Sequence, residues 1–546
     1  MSGGHSRLLF AIALLTLVYI ALRFGSAGIN IRLETLGGVF PSTQLWGKVT
    51  WLWAFNGTSP LRLERWLLTF LLSVIGFYAL LGSRFARRFG ELLGPPSRRT
   101  HWLFLGAFVL VCMALFWMLR LKIAWGDTGR YEDYLLRGVV PGQTGPPQPK
   151  LLFMSAPLTT LTFYAFYYGY FNRFLTPENT VALVNVCAGG IYVVAALALV
   201  CRLASPLRIF AALWLLTLPA TALFYGYREA TAISAAFAIL YLVAAWRALH
   251  TDQARLILVA ALALGLAAAG HGLAFMLAPS LILLLLRDLL RRIRSRSWIK
   301  AGTPALLSIL FFVGPLLILF GVADSNPNLV YGAPGGDAGF EQAFIRGDWY
   351  LAFRLYCGEA GRSLSDLCYP VFSLFHWVDL LNITARLDPA FPVIVISAML
   401  VAFMSNRREW FWKSTARGSR ALDRKQRRMP LGWDSVRRLI ESPAIFWAAV
   451  SAGSLAFLIF WAPGLGFEHD WDLYALVYLI FMVVLLVGVR RRIPDIGQIT
   501  QPMRAAGAIL LALNFAGMVE FLLLLQPHLF GSVLLPYLQS QGLIGS

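Results

Sequence analysis

The sequence predicts an all-α protein that crosses a membrane many times. Of its 546 residues, 58% are hydrophobic and only 14% are charged, and the mean hydropathy is +0.67. A soluble globular chain carries roughly a quarter charged residues. Apolar runs of about 20 residues, the length that crosses hydrocarbon as a helix, recur along most of the chain, giving about 13 spans. Soluble, fibrous and disordered classes are therefore excluded, and residues 1–546 are expected to form a single polytopic membrane domain.

The predicted spans follow from hydropathy along the chain. The segment 151–172 is also long enough to span, but crossing there would put the next three basic loops on the wrong side. We interpret it as an interfacial segment at the outer face. The stretch 256–287 is interpreted as two spans, because Gly270, His271 and Gly272 favour a turn. The spans lie near residues 8–24, 66–82, 102–119, 178–201, 207–224, 229–246, 256–270, 271–287, 302–322, 390–405, 444–462, 473–489 and 505–526.

The net charge of +20 is concentrated in four basic segments. With these spans, all four fall on one side of the membrane. Lys and Arg close to span ends stay cytoplasmic, so the N-terminus is predicted to be cytoplasmic, in a membrane that we expect to be the bacterial inner membrane. The charge then reflects topology and possible attraction to anionic lipid headgroups, and no nucleic-acid partner is expected. The segments are 84–99, 287–300, 407–438 and 490–492.

Three connecting segments are long enough to carry function. They are an acidic and interfacial outer loop (120–177), a large outer loop (323–390) and a basic cytoplasmic loop (406–443). Cys357 and Cys368 both fall in the large outer loop, where pairing and two free thiols are equally open alternatives. The unusual polar residues gather on the outer face. A reaction at the membrane is therefore expected at the outer ends of the helices, facing a cavity.

Two candidate sites lie in outer turns. Asp127 is the second residue of the sequence GDTGRYEDYLLRG, which follows the third span, and Tyr131 lies one helical turn later. An Asp at this point acts either as a helix N-cap or as a general base. Arg228 and Glu229 end the tight turn YGYRE. The guanidinium is suited to a phosphate, with Glu229 orienting it, and the alternative is a snorkelling Arg paired with its neighbour.

Two further candidates lie at predicted helix starts. His271 in GHG is either a satisfied polar residue or a donor to phosphate. Glu468, Asp470 and Asp472 precede and begin the twelfth span, together with His469. These side chains suit a divalent metal, sugar hydroxyls or a general base, and acidic capping of the helix is the alternative. A divalent metal is therefore an open alternative, and no other cofactor is expected.

The arrangement resembles the membrane-embedded GT-C glycosyltransferase superfamily, especially bacterial relatives of the protein O-mannosyltransferases and other polyprenyl-phosphate-sugar-dependent transferases. The resemblance covers roughly residues 100–320, in which Gly126-Asp127, the aromatic segment 151–172, Arg228-Glu229 and His271 follow one another in the expected order. It implies a GT-C-like helical fold with interfacial helices at the outer face. The chain departs from the pattern because its acidic loop follows the third span instead of the first.

The resemblance implies a hexosyl- or pentosyltransferase of the cell envelope. Such an enzyme moves a sugar, with inversion, from a polyprenyl-phosphate donor to a glycan, lipid or protein acceptor at the outer, extracytoplasmic face. Two other functions stay open: an O-antigen-type polymerase or ligase, and a lipid-linked sugar transporter or flippase. The implied roles are general base for Asp127, donor-phosphate contacts for Arg228 and His271, and substrate contacts for Tyr131, Glu229, Glu468, Asp470 and Asp472.

Overall fold

The computed structural model shows a bundle of helices. We number its α-helices and strands in chain order. The α-helices are α1 (Ser6–Ala21), α2 (Leu63–Gly82), α3 (Arg84–Leu92), α4 (Arg99–Met118), α5 (Pro157–Phe166), α6 (Pro177–Val200), α7 (Ser205–Thr217), α8 (Thr231–Thr251), α9 (Ala254–Gly270), α10 (Ala278–Ser295), α11 (Trp298–Ser325), α12 (Leu374–Leu387), α13 (Ala390–Leu400), α14 (Pro443–Phe460), α15 (Trp471–Arg492) and α16 (Gln501–Leu524). The structure describes residues 6–21, 63–95, 99–121, 135, 150–153, 156–251, 253–295, 298–325, 329–332, 374–400, 437, 439–461, 471–492 and 500–524.

Short irregular elements interrupt the bundle. A π-helical turn, Tyr167–Phe171, follows α5, and 3₁₀ turns at Pro219–Phe224 and Gly272–Leu277 precede α8 and α10. Strands β1 (Lys150–Phe153) and β2 (Leu329–Gly332) pair in parallel. One strand belongs to each of the two long loops that the sequence assigns to the outer face, so the ladder joins these loops.

The polytopic helical architecture is confirmed, whereas the count of about 13 spans is not. In the described part of the chain, nine helices are long and apolar enough to cross a membrane. Three other predicted spans are shorter apolar helices: Ser6–Ala21, Leu207–Thr217 and Ala254–Gly270. The second of these ends early because Pro219 follows it, and the residue before a proline is held in extended backbone.

The two stretches that the sequence left ambiguous have distinct structures. The segment 151–172 contains β1, the 10-residue helix α5 and the π-helical turn, and α5 is too short to cross a bilayer. Its placement at the outer interface stays a prediction. In the stretch 256–287, α9 ends at Gly270 and His271 has extended backbone, with φ −162° and ψ 132°. The single long helix is therefore excluded, as the sequence predicted.

The remaining predicted span, 390–405, is part of a bent pair. The chain bends by 109° between the helical segments Leu380–Leu387 and Ala390–Leu400. Asp388 lies in the break, where its Oδ1 accepts a hydrogen bond of 3.1 Å from the Phe391 N–H, and Asn514 Oδ1 accepts one of 3.1 Å from the Ala390 N–H. Asp388 thus acts as the N-cap of α13, and it is almost fully buried.

Burial divides the helices into an interior and a periphery. Helix α8 lies at the centre, packed against α6, α9 and α15, and 83% of its apolar window is buried. The corresponding share is only 11% in α2, α4 and α11. These outer helices expose large apolar side chains, among them Leu68, Trp102 and Ile318. Such surfaces are suited to contact with lipid hydrocarbon.

Helix α9 approaches α11 at Gly265, and this gives a first prediction. A Cβ added at Gly265 would collide with the backbone carbonyl oxygen of Phe312, whereas one added at Gly302 meets nothing within 4 Å. We expect Gly265→Ala to lower the free energy of unfolding by about 1–3 kcal/mol through overpacking. Gly302→Ala, the matched control, is expected to leave it unchanged or to raise it by up to about 1 kcal/mol. Thermal unfolding in detergent measures both, and equal melting temperatures would contradict the prediction.

Candidate functional site

The turn that carries Arg228 and Glu229 contains a glycine with positive φ, Gly226. Gly226 has a φ of +63°, in the left-handed region that favours glycine. A Cβ at this position would also lie 3.1 Å from the Cβ atoms of Ala182 and Arg120. Glycine therefore lets the chain turn sharply between the 3₁₀ turn and α8 while staying in close contact with its neighbours.

The side-chain amide of Asn185, on α6, hydrogen-bonds to the backbone of this turn. Asn185 is fully buried, and its Nδ2 donates hydrogen bonds to the carbonyl oxygens of Tyr227 and Glu229, the latter at 2.9 Å. Arg228 and Glu229 are 8% and 7% exposed. A snorkelling arginine keeps its charged head in water, and this degree of burial does not fit that alternative.

A threonine on α5 joins the Arg228 turn to the His271 break. The Thr159 hydroxyl lies 2.8 Å from the carbonyl oxygen of Gly270 and 3.1 Å from that of Ala230, so that its single proton is shared between the two acceptors. Both carbonyls belong to residues next to candidate site residues. Two segments that are about 40 residues apart in sequence are thereby fixed side by side.

His271 is held as a neutral side chain. Its Nδ1 accepts a hydrogen bond of 3.2 Å from the Leu273 N–H, so the ring proton of the neutral form lies on Nε2. Burial lowers the pKa of His271 to about 4. The side chain is therefore uncharged at neutral pH, and it offers a phosphate a neutral N–H donor from Nε2 instead of an imidazolium charge.

Asp472 lies in the first turn of α15, next to the start of α8. Its Oδ2 accepts a hydrogen bond of 3.0 Å from the Thr231 hydroxyl, and the residue is 6% exposed. The Tyr227 ring packs against the Trp471 indole, with ring centroids 4.7 Å apart. Asp472 therefore belongs to the same cluster as the Arg228 turn. Glu468 and Asp470 lie outside the described residues.

Two described residues of the acidic loop, Leu121 and Leu135, are hydrogen-bonded to other segments. The Leu121 N–H donates a hydrogen bond of 2.8 Å to the Tyr225 carbonyl oxygen, and the Tyr168 hydroxyl donates one to the carbonyl oxygen of Leu135. Asp127 and Tyr131 lie between these anchors in sequence and outside the described residues. Leu121, before these two residues, thus contacts the Arg228 turn. Leu135, after them, contacts the π-helical turn that follows α5.

The described residues do not form a metal site. Among the residues that the structure describes, no group of three or more His, Cys, Asp or Glu side chains is arranged to hold a metal ion. The metal alternative for residues 468–472 depends on two carboxylates outside this set. Cys357 and Cys368, and most of the large outer loop, also lie outside it.

Sequence reasoning missed the residues that assemble the site. Asn185, Thr159 and Thr231 are polar side chains within or next to apolar stretches, and all three are buried. Their signal in the sequence is an amide or hydroxyl in a hydrophobic segment, where a polar group needs a partner. The sequence does not reveal which partner, because each hydrogen bond joins segments that are distant along the chain.

The chain was compared with known protein families, curated proteins and solved structures. No family model and no curated protein matches the chain. The crystal structure of ArnT from Cupriavidus metallidurans bound to undecaprenyl phosphate overlaps 78% of this chain and 77% of its own, at 12% identity and a TM-score of 0.38. The apo state of the same protein overlaps 77% of each chain, at 18% identity and a TM-score of 0.33. Both TM-scores are below 0.5, so these overlaps do not define a common fold.

The Thr159 bridge gives a second prediction. We expect Thr159→Val to lower the free energy of unfolding by about 1–3 kcal/mol, because two buried carbonyl oxygens lose a donor. Thr160→Val is the matched control, since the Thr160 hydroxyl bonds only to carbonyls at the start of its own segment, Ala156 and Pro157. Chemical or thermal unfolding in detergent compares the two variants. An equal decrease in the free energy of unfolding of both variants would show that the Thr159 hydrogen bonds between the two turns do not stabilise the fold specifically.

The neutral state of His271 gives a third prediction, on pH. An unfolded histidine takes up a proton near pH 6.5, whereas folded His271 does so only near pH 4. The contribution of neutral His271 to the free energy of unfolding is therefore complete above pH 6.5, and it is lost as the pH falls towards 4. We expect wild type to lose up to about 2 kcal/mol more than His271→Gln between pH 7.5 and pH 5. Thr160→Val removes no titratable group and is the control for a change in stability without a change in the pH profile. Parallel pH profiles for wild type and His271→Gln would refute the assignment.

Proposed function

We propose that the protein is a glycosyltransferase that moves a sugar from a polyprenyl-phosphate donor to an acceptor hydroxyl, with inversion, at the outer face of the membrane. The observation that carries the proposal is the convergence of the Arg228 turn, the His271 break and Asp472 at one end of the bundle, beside Leu121 at the start of the acidic loop. This convergence agrees with the order of residues on which the GT-C resemblance rests.

The donor side of the reaction needs a site for a phosphate. The isoprenoid chain stays in lipid while the phosphate and sugar lie at the surface, so the developing charge on the leaving phosphate has to be stabilised there. In this proposal the Arg228 guanidinium supplies the positive charge and His271 donates a neutral hydrogen bond from Nε2. Glu229 and Asp472 complete the polar surroundings, and Asp472 also fixes the start of α8 through Thr231.

The acceptor side needs a base. The acceptor oxygen attacks the anomeric carbon of the sugar, the bond from that carbon to the phosphate oxygen breaks, and its electron pair leaves with the phosphate. Asp127 takes the proton of the attacking hydroxyl. Tyr131, Glu468 and Asp470 are proposed to contact the sugar or the acceptor. The hydrogen bond from the Leu121 N–H to the Tyr225 carbonyl oxygen supports this assignment, because it joins the residue before the Asp127 segment to the turn that carries Arg228.

The test is sugar transfer by purified protein, with and without EDTA, on a panel of polyprenyl-phosphate hexoses and pentoses. We expect Asp127→Asn to lower kcat by roughly 100-fold or more, because a general base contributes about 10²–10⁴-fold. Arg228→Lys keeps the charge but loses the planar fork, and we expect it to raise the donor KM. Asp133→Asn in the same loop, and Arg292→Lys in the Asp288 ion pair on α10, are the matched controls.

Each outcome separates the proposed function from its alternatives. Full turnover by Asp127→Asn would reduce Asp127 to a helix cap and make the 468–472 cluster the next candidate for the base. If wild type turned over no donor while lipid-linked sugar crossed reconstituted vesicles, the protein would be a flippase. Joining of preformed lipid-linked oligosaccharides without use of single-sugar donors would favour a polymerase or ligase. Loss of activity with EDTA would establish a metal requirement.

A further inference from the structure

The short helix α3 lies between two spans, at the end of the bundle away from the candidate site. Its Phe89 packs against Phe104 near the start of α4, with ring centroids 5.5 Å apart. The other end of α4 is Met118, and Leu121 shortly after it contacts the Arg228 turn. At a rise of 1.5 Å per residue, Phe104 and Met118 are roughly 21 Å apart. Most of the thickness of a bilayer therefore separates α3 from the candidate site.

Neighbouring segments hold α3 in a fixed orientation. The extended backbone of Ser83 separates it from α2, and Ser83 Oγ accepts a hydrogen bond of 3.0 Å from the Ala86 N–H. At the other end, Arg208 Nη1 on α7 donates a hydrogen bond of 3.0 Å to the Gly90 carbonyl oxygen. A cation at this position also stabilises the carbonyl end of a helix. Ala86 and Gly90 are buried, so the face that they share is turned towards the bundle.

The rest of the α3 surface consists of two exposed stripes of different chemistry. The first contains Arg84, Arg87 and Arg88, whose spacing of i, i+3 and i+4 places them on one face of a helix. The second contains Phe85 and Leu92, which are 62% and 36% exposed. At 3.6 residues per turn, the two stripes are about 100° apart around the helix axis. Helix α3 therefore presents a basic face and an apolar face side by side.

The apolar stripe of α3 adjoins the apolar surface of a span. Trp102 and Leu103, near the start of α4, are also largely exposed. Lipid hydrocarbon accepts such side chains, and tryptophan is enriched at the boundary between membrane and water. Arginines beside this surface lie at the level of the headgroups, as they do on an amphipathic interfacial helix. With Glu91, the acidic residue of α3, the helix has a net charge of +2 (three Arg and one Glu).

We propose that α3 docks on anionic phospholipids at the membrane face opposite the candidate site, independently of the proposed sugar transfer. Phe85 and Leu92 enter the acyl-chain region, and Arg84, Arg87 and Arg88 bind the headgroup phosphates. Charge complementarity favours anionic over zwitterionic headgroups, because the net positive charge of α3 attracts a lipid with net negative charge. The preference conferred by one basic side chain near an anionic surface is about fivefold.

Photocrosslinking of the full chain, reconstituted in vesicles of equal parts dioleoyl phosphatidylglycerol and dioleoyl phosphatidylcholine, tests this docking. Benzoylphenylalanine replaces Phe85, and mass spectrometry identifies the products after irradiation. We expect lipid adducts in which phosphatidylglycerol exceeds phosphatidylcholine about fivefold. The matched control carries the same probe in place of Leu110, which is 67% exposed in the middle of α4. Its lipid adducts should have the ratio of the mixture.

The headgroup contribution is tested by replacing the arginines of α3. Arg84→Gln, Arg87→Gln and Arg88→Gln together should bring the lipid ratio at position 85 down to that of the mixture, while lipid adducts persist. A matched triple variant, which should keep the fivefold excess, loses the same charge from exposed arginines outside α3: Arg7→Gln, Arg173→Gln and Arg255→Gln. Melting temperatures show that both variants are folded.

Three results would overturn the proposal. An unselective lipid ratio at position 85 in the protein with all its arginines would show that α3 does not recognise the headgroup. An absence of lipid adducts there would show that α3 does not reach the membrane. Crosslinks to another polypeptide would identify this face as a protein interface instead. These readouts do not require sugar transfer, so they stand whether or not the proposed function holds.

Discussion

The helix breaks of this bundle are buried, and polar side chains from neighbouring helices hydrogen-bond their backbone groups. Asn185 does this for the turn at Tyr227 and Glu229, Thr159 for the carbonyls of Ala230 and Gly270, and Asn514 for the start of α13. Each partner comes from a different helix. The Arg228 turn and the His271 break are fixed relative to one another through Thr159, and the candidate site depends on these few polar side chains.

The same constraint explains why charge accumulates where it does. Ionisable side chains at membrane depth are expensive and mark functional positions. Arg228, Glu229 and Asp472 are all buried at the end of the bundle where the acidic loop is anchored. A stable bundle does not require charges there, since apolar side chains of the same volume would pack at lower cost. In the proposed function, these charges contact the donor phosphate and the sugar.

The two ends of the bundle differ in chemistry. One end combines both signs of charge with hydroxyl and amide groups, and it is suited to a phosphate and a sugar. The other end carries arginines. Helix α15 connects the two ends, because it begins at Trp471 beside the Arg228 turn and ends in Arg490 to Arg492.

The sequence by itself determined the helical membrane architecture and most of the individual helices, because hydrophobic length and charge are local properties. It also located the breaks at Tyr225–Glu229 and His271, where glycine is a local signal. Only the tertiary structure decided that α7 and α9 are short, that α12 and α13 bend at Asp388, and that His271 is neutral. It also decided which polar residues in apolar helices reach which turn. Burial and hydrogen-bond partners depend on neighbours far away in sequence, so no local pattern specifies them.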